Sequence, residues 1–356
     1  MTEHRWPRES PSECVRRLGI SREAAELTAQ SDVIDLHIDS FIWQRLLGYD
    51  IGRRHGEGLF RGRFYSQVDL PRLRQVGVTG ATWVITTNPL RTAQGRARAL
   101  AQNLDKLGQT LRQFPEDVSV VATRAEYHAA VASGLHAAFL GIQGGNALDM
   151  DLRSLDLLEP QSVLRVTLLH LSSSRLGTTS SPAALRRRAL SDFGREYIRL
   201  LNHKQILADL AHIDRADFFR ALDAMDPSVP PVVTHTGVAG VYPHWRNLTD
   251  EQLRAIADRG GTVGIMFHWP FLGPRHSSRG LELVVEHIVH AVKTIGAQHV
   301  SLGSDWDGAI TTPRDMRTCL ELPKLVEALL LRGLSPDAIS WVLGGSFLRV
   351  LEAVRG

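Results

Sequence analysis

The chain has 356 residues, 43% of them apolar, enough to bury the core of one large domain. Lys and Arg number 41 against 38 Asp and Glu and are spread along the chain, an excess too small to imply a nucleic-acid partner. Only Cys14 and Cys319 are present, far apart and without CxxC spacing, which argues against a disulfide framework and against a thiolate zinc site.

In chain order, residues 1–31 are charged throughout and read as a helical N-terminal extension without the apolar core of an export signal. Short β-branched runs then alternate with amphipathic stretches, the pattern of repeated βα units. The predicted strands are Val33–Asp39, Gly80–Thr86, Ala137–Ile142, Val163–His170, Ile206–His212, Pro231–His235, Thr262–Phe267 and His299–Asp305. Predicted helices lie between them, at Arg91–Phe114, Asp192–His203, Arg215–Ala224, Asp250–Asp258 and Gly280–Ile295. Asp315–Gly356 reads as two or three C-terminal helices, with Leu334-Ser335-Pro336 marking a turn and a helix start. Arg186-Arg187-Arg188 reads as a solvated basic loop. Eight strands with interleaved helices predict an α/β fold, a (β/α)8 TIM barrel occupying 32–356 as one domain; an open doubly wound sheet is the alternative. No stretch reaches the roughly 18 uninterrupted apolar residues of a membrane span, so a soluble, cytoplasmic protein is expected.

Reactive side chains fall at the downstream ends of these runs. His37 and Asp39 are two apart in the first, and residues i and i+2 of a strand share a face. His170, His212 and His235 close later runs, and Asp305 and Asp307 close the last. One such histidine is more often a satisfied core residue than a ligand. Four at the same end of successive strands are better explained by a shared metal site, because those ends converge at the C-terminal face of a barrel. Imidazole and carboxylate suit zinc and related cations. A metal lowers the pKa of bound water and polarises a scissile carbonyl, while a carboxylate off the metal moves protons. Asp305 is the candidate for that last role.

These residues resemble the renal or membrane dipeptidase family of zinc peptidases, from about Asp32 to the C-terminus. The resemblance rests on the joint order of Asp35-Leu36-His37-Ile38-Asp39, Gly141-Ile142-Gln143-Gly144-Gly145, Leu168-Leu169-His170, Leu190-Ser191-Asp192-Phe193-Gly194, Asp209-Leu210-Ala211-His212, Thr234-His235-Thr236, Arg246-Asn247, Gly303-Ser304-Asp305-Trp306-Asp307-Gly308 and Leu348-Arg349-Val350. It implies two zinc ions, with His37 and Asp39 as ligands of one and His212 and His235 of the other. It further implies His170 at the scissile carbonyl and its developing oxyanion, Arg246 on the substrate's terminal carboxylate, and Asp305 handling protons near the substrate amine. Without the resemblance, Arg246 reads equally well as a surface arginine before the Asp250 helix.

Gln143 departs from that family, which carries a glutamate there whose carboxylate bridges the zincs. Two dications about 3.5 Å apart repel by roughly 19 kcal/mol at an effective dielectric near 20, and an amide brings no anion to offset it. The expectation is therefore one zinc, or a weakly bound second, with Gln143 a poor ligand. His268 and Asn146 also differ from the family's usual residues and bear on substrate choice. The resemblance implies a metal-dependent dipeptidase that hydrolyses a small peptide or amide with a free carboxylate by attack of metal-bound water, and homodimer formation. Two alternatives stay open: a catalytically impaired homologue serving as a binding or biosynthetic-accessory protein, and another metal-barrel hydrolase such as a lactonase or deaminase.

Overall fold

A computed structural model describes residues 6–58, 60–158, 162–182, 184, 189–274 and 280–356. The Arg186–Arg188 run lies outside them. Among the described residues, nine parallel strands form one sheet: β1 (Ile34–Ile38), β2 (Gly80–Thr86), β3 (Val118–Val120), β4 (His136–Gln143), β5 (Arg165–Thr167), β6 (Leu207–Asp209), β7 (Val232–Thr236), β8 (Thr262–Ile265) and β9 (Val300–Leu302). β2 pairs with both β1 and β4, and β9 with both β8 and β1, so eight strands close into a barrel. The remaining strand, β3, lies along the first residues of β4, upstream of where β5 pairs with it.

Each predicted strand overlaps one of the eight barrel strands, which makes this the expected (β/α)8 architecture rather than an open sheet. The strand that was not predicted is β3, which lies outside the closed barrel. Helices at Asp192–His203, Arg215–Ala224, Asp250–Asp258 and Gly280–Ile295 have the bounds their patterns predict. Caps set the starts of the Asp192 and Asp250 helices: the Ser191 side chain accepts from the Gly194 amide, and Thr249 and Gln252 form a reciprocal capping box. The predicted Arg91–Phe114 helix is trimmed to Ala93–Leu111, because Thr92 caps it at its N-terminus.

Two helices, Pro11–Leu18 and Arg22–Gln30, precede β1, and the Arg17 guanidinium donates to the carbonyl of Leu320. At the other end of the chain, Leu322–Leu331 and Pro336–Ser340 are helical, the latter started by Ser335, and Ser346–Arg355 forms the last helix. Phe347 and Leu351 of that helix share an apolar cluster with Ile34, Leu36, Phe139, Leu207 and Val232 from the strands and with Leu164 just ahead of β5. Arg355 donates to the carbonyls of Val163 and Gln205, just upstream of β5 and β6. The last helix therefore closes the N-terminal end of the barrel, leaving the C-terminal mouth for polar side chains. Among the described residues, no helix is long and apolar enough to cross a membrane.

Candidate active site

The regular ladder is interrupted at two of the strands that carry histidines. Between Asp35 and Ile38, two residues of β1 face one of β2, and between Val233 and Thr236, two residues of β7 face one of β8. Such bulges re-aim side chains and leave backbone groups out of the ladder. His37 and His235 sit in them, and their ring centroids lie 4.0 Å apart. His212 and Asp305, beyond the ends of β6 and β9, adopt left-handed backbone with φ of 66° and 65°, a sparsely populated region for residues other than glycine. Side-chain periodicity cannot reveal either feature.

The result is a compact cluster. His37 Nε2 lies 3.1 Å from Asp39 Oδ2 and 3.7 Å from Asp305 Oδ1. His212 Nε2 and His235 Nε2 are 2.8 Å apart, and the rings of His170 and His212 meet edge to face at 4.8 Å. One potential ligand atom from each of His37, His235 and Asp305 lies within 4.8 Å of the others. Gln143, at the end of β4, donates from its amide to Asp39 Oδ2 at 3.2 Å and lies 3.4 Å from His170 Nε2, while its carbonyl oxygen is buried with no partner. The side chains of His37, Asp39, Gln143, His170, His212, His235 and Asp305 thus come together. Asp307 does not join them: Ser40 donates to one of its carboxylate oxygens, at 2.5 Å, and the backbone of Gln67 to the other, at 2.8 Å.

Arg246 is buried rather than a surface residue, and its guanidinium donates to the carbonyl of His235 at 2.6 Å. Its Nε is buried without a partner, which leaves donor capacity in the mouth. His268 accepts at Nδ1 from the Thr311 amide, and Asn146 lies 3.4 Å from the Ser172 hydroxyl.

Burial governs the electrostatics. It pushes His170 down to about 4 and His212 and His235 well below the ordinary histidine range, so these imidazoles are neutral at pH 7. Asp305 is raised well above the carboxylate range by burial and by the neighbouring charge of Asp39. Burial also acts to raise Asp39, but His37 and the hydroxyl of Thr86 outweigh it and hold that carboxylate ionised. Arg246 is lowered by burial to about 10.

A supporting layer escaped the sequence reading. Asp35 Oδ1 accepts from the amides of His37 and Ser304, fixing β1 to β9 beneath the site. The Thr179 hydroxyl lies 2.5 Å from the carbonyl oxygen of His170 and 3.2 Å from that of His212. Asp209 accepts at Oδ2 from Thr167, Thr234 and Arg165. Arg165, wholly inside the barrel, also donates to His37 Nδ1 at 2.7 Å and to the carbonyl of Leu36 at 3.1 Å, a group on the bulged stretch. The available signal was a charged residue within an apolar strand run, which needs an internal partner. Gly308 is dictated by its neighbour: a Cβ there would lie 2.3 Å from Asp305 Oδ1.

A closed parallel barrel with neutral imidazoles and carboxylates gathered at its C-terminal mouth defines a metal-dependent hydrolase class. The chain belongs to the membrane dipeptidase family, peptidase family M19, whose description matches residues 21–356. It is 26% identical over 365 residues to dipeptidase aclJ of Aspergillus oryzae, covering 98% of this chain and 84% of the relative. Among solved structures it is similar to dipeptidase AC, a metallopeptidase of family M19, at 26% identity and a TM-score of 0.78, covering 92% of this chain and 99% of the other. It shares its fold with the probable dipeptidase PvdM of Pseudomonas aeruginosa, at a TM-score of 0.82 and 19% identity over 96% of this chain and 99% of that one.

Proposed function

We propose that the chain is a zinc-dependent dipeptidase acting on a small peptide with a free carboxylate. The observation that carries this reading is the pair of neutral histidines, His212 and His235, with Nε2 atoms converging at 2.8 Å in a mouth that also holds Asp305 and the buried guanidinium of Arg246.

The residues on this side of the mouth fit a cation. The Thr234 hydroxyl donates to Asp209 Oδ2 at 2.7 Å and lies 3.0 Å from His235 Nδ1, so its lone pair receives the Nδ1 proton and leaves Nε2 of His235 with a free electron pair. His212 and His235 would hold the ion once the proton that His212 Nε2 shares with His235 Nε2 across their 2.8 Å contact is given up. When bound, zinc supplies Lewis acidity that activates water and polarises an amide carbonyl. His170, neutral and beside Gln143, offers an N–H to oxygen charge developing at that carbonyl. Asp305, whose carboxyl is the more exposed partner of its pair with His37 at 14%, is placed to pass a proton to the departing amine. Arg246 presents a planar fork for the substrate carboxylate.

The amide of Gln143, which turns a donor towards Asp39, favours the second reading, a binding protein with impaired catalysis. A panel of dipeptides and their C-terminal amides separates the two. Hydrolysis of free-acid dipeptides that stops on chelation and returns with zinc supports the peptidase. Absence of turnover at full zinc loading overturns it in favour of the binding protein, and turnover of lactones alone points to a different hydrolase. A cytoplasmic location and a homodimer are part of the same proposal, tested by cell fractionation and by sedimentation analysis.

A further inference from the structure

We infer that Arg165 is a resident cation that closes the His37–Asp39 half of the site to metal, so that the mouth holds a single ion on the His212–His235 side. This rests on the reading of His212 and His235 as metal ligands.

The argument is one of hydrogen-bond polarity. A guanidinium has donors and no acceptor, so in the 2.7 Å contact between Arg165 Nη2 and His37 Nδ1 the imidazole nitrogen accepts. A neutral His37 then carries its proton on Nε2, the nitrogen that faces Asp39 Oδ2 at 3.1 Å. That nitrogen is a donor and has no lone pair for a cation. Histidines that ligate metals show the opposite arrangement, their far N–H donating to a carboxylate, carbonyl or water behind the ring. His235 follows the rule through Thr234 and Asp209, and His37 reverses it.

The other groups of this half complete the arrangement. Asp39 Oδ2 accepts from His37 and from the Gln143 amide, and its Oδ1 accepts from the Thr86 hydroxyl at 2.5 Å. Protein donors therefore occupy the oxygens that a cation would take. Arg165 is held in place by Thr167 Oγ1 at 2.6 Å, Asp209 Oδ2 at 3.2 Å and the Leu36 carbonyl at 3.1 Å, and it is buried in the barrel. Ligand atoms of His37, His235 and Asp305 cluster closely enough for an ion, but proximity does not supply the missing lone pair. A neutral amide at Gln143 and a guanidinium behind His37 act in the same direction, each lowering the affinity of this half for a dication.

Elemental mass spectrometry on protein loaded with excess zinc and desalted, with long-range 15N–1H NMR of the histidines, tests the inference. The expected result is one zinc per wild-type chain, with His37 as the Nε2–H tautomer both before and after loading. Gln143→Glu alone stays at one zinc, and Arg165→Met combined with Gln143→Glu rises to two. Two zinc ions per wild-type chain, a second ion gained by Gln143→Glu alone, an Nδ1–H tautomer at His37, or a folded double variant that stays at one zinc would each overturn it. If the double variant does not fold, the wild-type tautomer and the Gln143→Glu stoichiometry decide. A wild-type chain that binds no zinc, with His37 still Nε2–H, overturns the single-ion site through its metal half and leaves Arg165's action on His37 standing.

Discussion

His136 at the start of β4 gives the barrel a calculable response to acid. Its Nδ1 lies 3.0 Å from the carbonyl of Val78, and its Nε2 accepts from the indole of Trp83 on β2 at 3.2 Å. One neutral tautomer satisfies both contacts, and a second proton would set an N–H against the indole N–H. Burial accordingly lowers this histidine from the ordinary 6.5 to about 4. With the folded value below the unfolded one, the unfolded chain binds the extra proton first. The stabilisation is complete above pH 6.5 and declines as pH falls, by about 2 kcal/mol at pH 5 and about 3 kcal/mol below pH 4. His136→Gln removes the titration while retaining an amide oxygen for the indole and an amide N–H for Val78. Urea unfolding of both proteins at pH 7.5 and pH 5 should show the gap between them moving by about 2 kcal/mol in favour of the variant, since the other buried histidines are common to both. An unchanged gap, or an NMR titration of His136 with a midpoint near 6.5, would refute the reasoning.

Gly308→Ala should push the Asp305 carboxylate aside, because the new Cβ would lie 2.3 Å from its oxygen; kcat is expected to fall by roughly 10- to 100-fold with urea stability little changed, as steady-state assays would show. Arg246→Lys replaces the planar fork that bonds the His235 carbonyl, so KM for free-acid dipeptides should rise by about tenfold or more while that for their amides hardly moves. Thr179→Val removes the hydroxyl shared by the carbonyls of His170 and His212. It should lower stability by about 1–2 kcal/mol and zinc affinity by roughly tenfold, measured by denaturation and competitive chelation.

The barrel strands and most of the helices were legible because their signals are local. A β-branched run between turns, or a Ser or Thr one residue ahead of an amphipathic stretch, carries its structure in neighbouring residues, and so the Asp192 and Asp250 helices fall where their patterns begin. The gathering of His37, Asp39, His170, His212, His235 and Asp305 was also readable, because parallel strands of a barrel bring their C-terminal ends to one mouth. The burial of Arg246 was not, since a residue in a loop takes its environment from what packs over it.

By itself, the sequence determined a closed α/β barrel, the end of it at which the histidines and carboxylates gather and the identity of the converging side chains. Tertiary structure alone decided how those side chains are protonated and aimed. Bulges at His37 and His235 and the guanidinium behind His37 arise from contacts between different strands, and the backbone at His212 and Asp305 is left-handed. Arg165 and His37 are 128 residues apart, and hydrogen-bond polarity between them exists only once β5 and β1 share an interior.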